Sequence, residues 1–183
     1  MTISLTGFMG CGKSSVGRRL SQLLCCPFTD LDDVIGEKAG KTIPDIFKED
    51  GEQAFRSMEL NALSEILVPI SLPSSTGLVL ALGGGTVTTP GCAEIVKERT
   101  ICVYLRASLE TLVENLRNEA SGRPMLNITA AMSGTNPEEA LRSRIIELMD
   151  KRSSIYEKTA HIMIDTDGKS IETIVQEIIS LLS

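Results

Sequence analysis

Tryptophan is absent from this 183-residue chain, histidine occurs once, and aromatic residues make up only 3%. A single histidine, His161, argues against His-based acid–base or nucleophilic catalysis; it reads as a strand residue with no chemical task. Long apolar runs are also missing. The longest fall far short of a bilayer span, and the start of the chain lacks the basic-then-apolar layout of a secretory leader, so a membrane is not expected as a partner. Basic charge is scarce too: 18 Lys and Arg against 24 Asp and Glu leave a net charge of −6. With no basic stripe, nucleic acid is not expected as the main partner. Cysteines number five, an odd count without metal-binding spacing. Cys25 and Cys26 are adjacent and Cys11 lies in a glycine-rich loop; reduced thiols in a cytoplasmic protein account for them best. What remains is 42% apolar with a mean hydropathy of +0.11, enough for one domain over 1–183 with a substantial core.

The most informative stretch is Gly7-Phe8-Met9-Gly10-Cys11-Gly12-Lys13-Ser14, a complete G-x-x-x-x-G-K-[ST] phosphate loop directly after the apolar Ile3-Ser4-Leu5-Thr6. Glycines allow backbone N–H groups to turn inward around phosphate oxygens, where a Cβ would block the approach. Lys13 supplies a mobile charge for the β- and γ-phosphates, the Ser14 hydroxyl can ligate magnesium, and the helix that follows adds its positive end. Chance would place the four fixed positions in about one chain in a hundred of this length.

Apolar β-type runs recur at 3–6, 27–29, 78–82, 101–105 and 162–164, with helical patterns between them. Strand alternating with helix implies a parallel sheet covered on both faces, with ligands beyond the carboxyl ends of the strands. The last helix packs through Ile171, Ile174, Val175, Ile178, Ile179 and Leu182, behind a Ser170 cap. Nearly fifty mostly helical residues separate the second and third strands: Thr42-Ile43-Pro44-Asp45 reads as a capping box and 55–68 as a long helix. Residues 118–136 are small and polar, a long loop of the kind that is either a functional lid or disordered. Asn136-Pro137-Glu138-Glu139 then opens a new helix.

Several charges stand where they need a partner. In Asp30-Leu31-Asp32, carboxylates two apart on an extended chain face the same way, roughly 7 Å apart. One can hold a metal through water while the other takes a substrate proton; alternatively Asp32 caps the next helix. Arg152 falls near the middle of the apolar stripe of Leu141, Ile145, Leu148, Ile155 and Tyr156. A buried guanidinium requires an anion, either an internal acid or a ligand carboxylate or phosphate. Glu59 lies in the arc of Phe55, Ala62 and Ile66 with Arg56 at its edge, so the acid can orient the arginine. Gly83-Gly84-Gly85 allows a close approach of backbone to ligand, or a plain turn. Arg123 lies in the same stretch, either as a solvated charge or as the cation that phosphoryl transfer wants.

In order and spacing these pieces resemble the shikimate kinase family, of the nucleoside-monophosphate-kinase-like branch of P-loop proteins. The resemblance runs over nearly the whole chain and also rests on Asp45-Ile46-Phe47 leading into Gly51-Glu52 and Phe55-Arg56-Ser57-Met58-Glu59, Leu82 before the glycines, Arg123-Pro124-Met125-Leu126, and Arg152 with Tyr156. It implies a three-layer α/β/α sandwich around a five-stranded parallel sheet, with a lid (118–136) and a helical substrate-binding insertion (32–68). The implied activity is ATP-dependent phosphorylation of the 3-hydroxyl of shikimate, with Mg²⁺, in a monomer. Carried over by position, Gly10, Cys11, Gly12, Lys13, Ser14, Ser15, Arg117 and Arg123 serve ATP, with Arg117 against the adenine. Ser14, and Asp30 through water, serve the metal. Asp32, Arg56, Gly83, Gly84, Gly85 and Arg152 serve shikimate, and Lys13, Asp32 and Arg123 are the implied catalytic set. Gly36 stands where the family often has an acid, and Ala81 where some members have a hydroxyl. Within enzymes the rival is a gluconate or nucleoside monophosphate kinase. From another class comes a GTP-dependent switch, whose D-x-x-G pattern Asp33-Val34-Ile35-Gly36 matches, but no N-K-x-D segment accompanies it.

Overall fold

The computed structural model describes residues 1–68, 77–117, 126 and 136–182. Five strands, β1 (Thr2–Thr6), β2 (Phe28–Asp30), β3 (Leu78–Ala81), β4 (Ile101–Arg106) and β5 (Ile162–Asp165), lie within a residue or two of the apolar runs. They pair in the order β2-β3-β1-β4-β5, every pair parallel. Strands covered on both faces read as unbroken apolar segments: from Val79 to Ala81 and from Cys102 to Leu105 every residue is buried. Ser4 and Thr6 in β1 are buried polar exceptions, and the Ser4 hydroxyl hydrogen-bonds that of Thr100 at 2.7 Å.

Helices α1 (Lys13–Leu23) and α8 (Ile171–Leu182) pack together, as do α5 (Cys92–Arg99) and α7 (Pro137–Thr159). Helix α6 (Leu109–Leu116) packs on α7. Helices α2 (Leu31–Ala39), α3 (Ile43–Glu49) and α4 (Gly51–Ile66) pack on one another between β2 and β3. The caps follow local sequence: the side chains of Thr42, Ser108, Asn136 and Ser170 each accept a first-turn backbone N–H. The chain from β1 crosses to β2 on one side, and β3 leads to β4 on the other. The carboxyl end of β1 is therefore the topological switch point where such sheets hold ligands.

Three boundaries differ from expectation. Helix α4 begins at Gly51 rather than 55, because Asp50 caps the end of α3 and Gly51, at φ 86°, starts a new helix at once. Helix α2 begins at Leu31, so Asp30-Leu31-Asp32 is not extended: Asp30 ends the strand and Asp32 sits in the first helical turn. The cap of α2 is Asp30, not Asp32, its Oδ1 accepting the Asp32 N–H at 3.1 Å. His161 stands one residue before β5, with its Nδ1 accepting the Cys102 backbone N–H at 3.0 Å, a structural task. The expected lid, apart from Leu126 and Asn136, lies outside the described residues, and so does Arg123.

Candidate active site

The phosphate loop joins β1 to α1 through Gly7, Gly10 and Gly12, all at positive φ. A Cβ on Gly7 would lie 2.5 Å from the Leu105 carbonyl oxygen, and one on Gly10 2.8 Å from Leu116. No side chain caps α1, whose cap residue is Gly12, so its first N–H groups point at whatever occupies the loop. Lys13 folds back over the loop, its Nζ donating to the Gly7 and Phe8 carbonyls at 3.0 Å each. The buried Cys11 thiol stands 4.0 Å from the same ammonium.

This loop forms one wall of a cavity of about 410 Å³ that brings together Lys13, Ser14, Ser15, Asp30, Asp32 and Gly84. The Ser14 hydroxyl donates to Asp30 Oδ2 at 2.6 Å. Asp30 thus engages both oxygens, one on its own helix cap and one on the serine. The two acids still face one cavity, through a strand-to-helix turn instead of strand alternation.

Beyond that cavity the three glycines after β3 form a hub. Cβ atoms built on them would lie 2.7 Å from Asp32 Oδ1 at Gly83, 3.0 Å from the Met9 backbone nitrogen at Gly84, and 2.8 Å from Arg56 Nη1 at Gly85. Only glycine permits three such approaches in a row. Arg152, 5% exposed, reaches the hub from α7, its Nη1 donating to the Gly84 carbonyl at 3.3 Å and its guanidinium lying 6.0 Å from the Phe8 ring centre. Among the described residues it pairs with no carboxylate.

For Arg56 the internal-acid alternative holds in part. Its Nη1 donates to Glu59 Oε2 at 2.9 Å, while Nε and Nη2 reach Glu52 Oε1 at 3.4 and 3.2 Å. Burial opposes the arginine's charge, but Glu59 and then Glu52 outweigh it and hold its pKa above the ordinary value. Glu59, 1% exposed, also accepts from the Thr86 hydroxyl at 2.7 Å and the Thr89 hydroxyl at 2.6 Å. It orients Arg56 as its place in the helix suggested. The two threonines escaped the sequence reading; the available signal was that a buried acid needs more donors than one arginine.

Asn115 escaped it as well. On the last turn of α6, its side-chain amide donates to the Gly10 carbonyl at 2.9 Å and lines the cavity, yet no motif marks it. Arg117, two residues on, is exposed and pairs with Glu138 at 3.1 Å.

The family model for shikimate kinase matches residues 9–183. A shikimate kinase from Thermus thermophilus is 41% identical over 180 residues, covering 98% of this chain and 89% of that protein. The solved shikimate kinase from Acinetobacter baumannii in complex with shikimate superposes with a TM-score of 0.84 at 36% identity, covering 99% of this chain and 92% of the other. That from Bacteroides thetaiotaomicron gives 0.83 at 31%, covering 100% and 98%.

The chain belongs to the shikimate kinase family. It is therefore a kinase, and the sheet order and flanking helices are those of the solved shikimate kinases.

Proposed function

We propose that the chain transfers the γ-phosphoryl group of ATP to the 3-hydroxyl of shikimate, giving shikimate 3-phosphate and ADP. The observation that carries this reading is the convergence of Asp32, Arg56 and Arg152 on Gly83, Gly84 and Gly85, with Gly84 and Asp32 also bordering the cavity of Lys13. Donor and acceptor sites thus share a wall.

Lys13 and the loop N–H groups of Gly10, Cys11, Gly12, Ser14 and Ser15 hold the phosphates, Lys13 exchanging its bonds to the Gly7 and Phe8 carbonyls for phosphate oxygens. Ser14 and Asp30, hard oxygen donors 2.6 Å apart, fit magnesium, Ser14 directly and Asp30 through water. A magnesium ion bound by these two residues would supply positive charge to offset that of the phosphates. Arg56 and Arg152 hold the acceptor's carboxylate, with the backbone of Gly83–Gly85 beside its ring. The 3-hydroxyl oxygen attacks the γ-phosphorus, the bridging oxygen leaves with ADP, and Asp32 takes the hydroxyl proton. Arg123 neutralises the transferring group from the 118–136 lid, Arg117 lies against the adenine, and residues 32–68 form the acceptor-binding insertion. Five free thiols support a reducing cytoplasmic setting, and the protein works as a monomer.

A coupled ADP-release assay tests this, with shikimate, gluconate and nucleoside monophosphates as acceptors and ATP against GTP as donors. ATP consumption that depends on shikimate is expected. Turnover of gluconate or a nucleoside monophosphate but not shikimate overturns the acceptor, and acceptor-independent GTP hydrolysis overturns the kinase reading.

A further inference from the structure

Tyr156 stands one helical turn after Arg152 on α7 and shares its target. The phenol donates to the Gly84 carbonyl at 2.5 Å, the same oxygen that accepts from Arg152 Nη1 at 3.3 Å. The tyrosine ring is fully buried and lies against Tyr104, with ring centres 5.2 Å apart. Burial pushes its hydroxyl pKa well up, so it remains a donor at any working pH.

Gly84 is an unusual place for such a clamp, because the Gly84–Gly85 peptide is flanked by glycine on both sides and turns easily. No cis peptide occurs among the described residues, and in a trans peptide the carbonyl and the following N–H point in opposite directions. Pinning the Gly84 oxygen to α7 therefore aims the Gly85 N–H away from α7. That N–H, like those of Gly83 and Gly84, donates to no backbone carbonyl among the described residues. The clamp also leaves Arg152 with a long, weak bond to Gly84, the stronger bond being made by Tyr156, so most of the guanidinium's donors stay available.

We propose that Tyr156 is a positioning residue for the acceptor substrate: its hydroxyl, by holding the Gly84 carbonyl against α7, fixes the Gly84–Gly85 peptide and leaves the Arg152 guanidinium directed at the acceptor's carboxylate. The inference rests on the acceptor reading given above. Without the hydroxyl, Arg152 becomes the sole side-chain donor to that carbonyl and is drawn toward it.

The test is Tyr156→Phe, which keeps the ring and its packing on Tyr104, with Tyr104→Phe as a matched loss of a buried phenol. Steady-state kinetics with shikimate and ATP are measured beside thermal unfolding. A rise of about tenfold in KM for shikimate is expected, the value of one good hydrogen bond acting through a charged neighbour. KM for ATP and kcat stay within about twofold, since the phosphate loop is untouched. Tm falls by no more than about 4 °C, and Tyr104→Phe leaves KM for shikimate unchanged. In a double-mutant cycle with Arg152→Lys the two changes are less than additive, because both act at one carbonyl. An unchanged KM for shikimate in Tyr156→Phe, a parallel loss for both substrates, an equal effect of Tyr104→Phe, or strict additivity in the cycle overturns the proposal. A parent enzyme that ignores shikimate rejects the acceptor reading instead, whereas an active parent with an unaffected Tyr156→Phe rejects Tyr156 alone.

Discussion

Arg152→Met separates folding from substrate binding with opposite signs. The guanidinium is 5% exposed, has one carbonyl at 3.3 Å and an aromatic ring at 6.0 Å, and pairs with no acid among the described residues. The carbonyl bond is long and the ring stands at the outer limit of a cation–π contact. Neither offsets the desolvation of a buried cation. Methionine has similar length, no charge, and flexibility to fill the same space, while Gly84 keeps its bond from Tyr156. The ligand-free variant is therefore expected to be more stable than the parent by about 1–2 kcal/mol, a Tm rise of about 3–6 °C. Binding moves the other way. Removing one member of a buried charge pair with the acceptor's carboxylate weakens shikimate binding by about 100-fold. At a shikimate concentration 1,000 times the parent's Kd, ligand stabilises the parent by about 4.1 kcal/mol and the variant by about 1.4 kcal/mol. The order of Tm values thus reverses on adding shikimate. Thermal unfolding of both proteins, with and without shikimate, reads this directly. A ligand-free variant less stable than the parent by more than about 1 kcal/mol, with its shikimate shift intact, would refute the reasoning.

Lys13→Ala and Asp32→Asn are expected to lower kcat by at least about 10³-fold while leaving the unfolding midpoint close to that of the parent; near-normal turnover in Asp32→Asn removes it from the proton's path. Glu59→Gln leaves Arg56 and two threonine hydroxyls without their shared carboxylate. Because Arg56 keeps Glu52 and some solvent contact, a loss of about 2–4 kcal/mol is expected in urea unfolding, with a raised KM for shikimate; a loss under about 1 kcal/mol sinks the claim that Glu59 holds the hub. Stability will also fall in alkali. Burial raises the Cys102 thiol from 9.0 to about 11 and, with Glu59 adding to it, the Cys92 thiol from 9.0 to about 12. Above pH 9 the unfolded chain releases these protons while the folded one retains them, so unfolding is favoured as pH rises. Each thiol contributes a slope of up to about 1.4 kcal/mol per pH unit, and urea titrations between pH 8 and 10.5 will show a shallower decline for Cys102→Ala if this is right.

The strands and the phosphate loop were legible because each is a local pattern. Buried parallel strands announce themselves as apolar runs, and the loop needs its glycines, lysine and serine within eight positions. Arg152 was legible for a related reason, since a charge on an apolar helical stripe conflicts with its surroundings. Asp30 and Asp32 were placed in the right cavity by the wrong geometry, because helix α2 starts at Leu31, a boundary that local propensity does not fix. Thr86, Thr89 and Asn115 were invisible. Their partners, Glu59 and the Gly10 carbonyl, lie 27, 30 and 105 residues away in sequence, and no spacing rule spans such distances. Arg56 fell between these cases: its neighbour Glu59 was visible three residues on, but the extent of its commitment to Glu52 depended on rotamers.

Glu59 ties helix α4 to the segment after the glycines through three short bonds. The two pieces cannot open separately without exposing a carboxylate, a guanidinium and two hydroxyls at once. Amide protons of α4 around Glu59 and those of Thr86 to Thr89 accordingly belong to one cooperative opening unit. In native-state hydrogen–deuterium exchange they will share a protection level, and Glu59→Gln will lower it for both together.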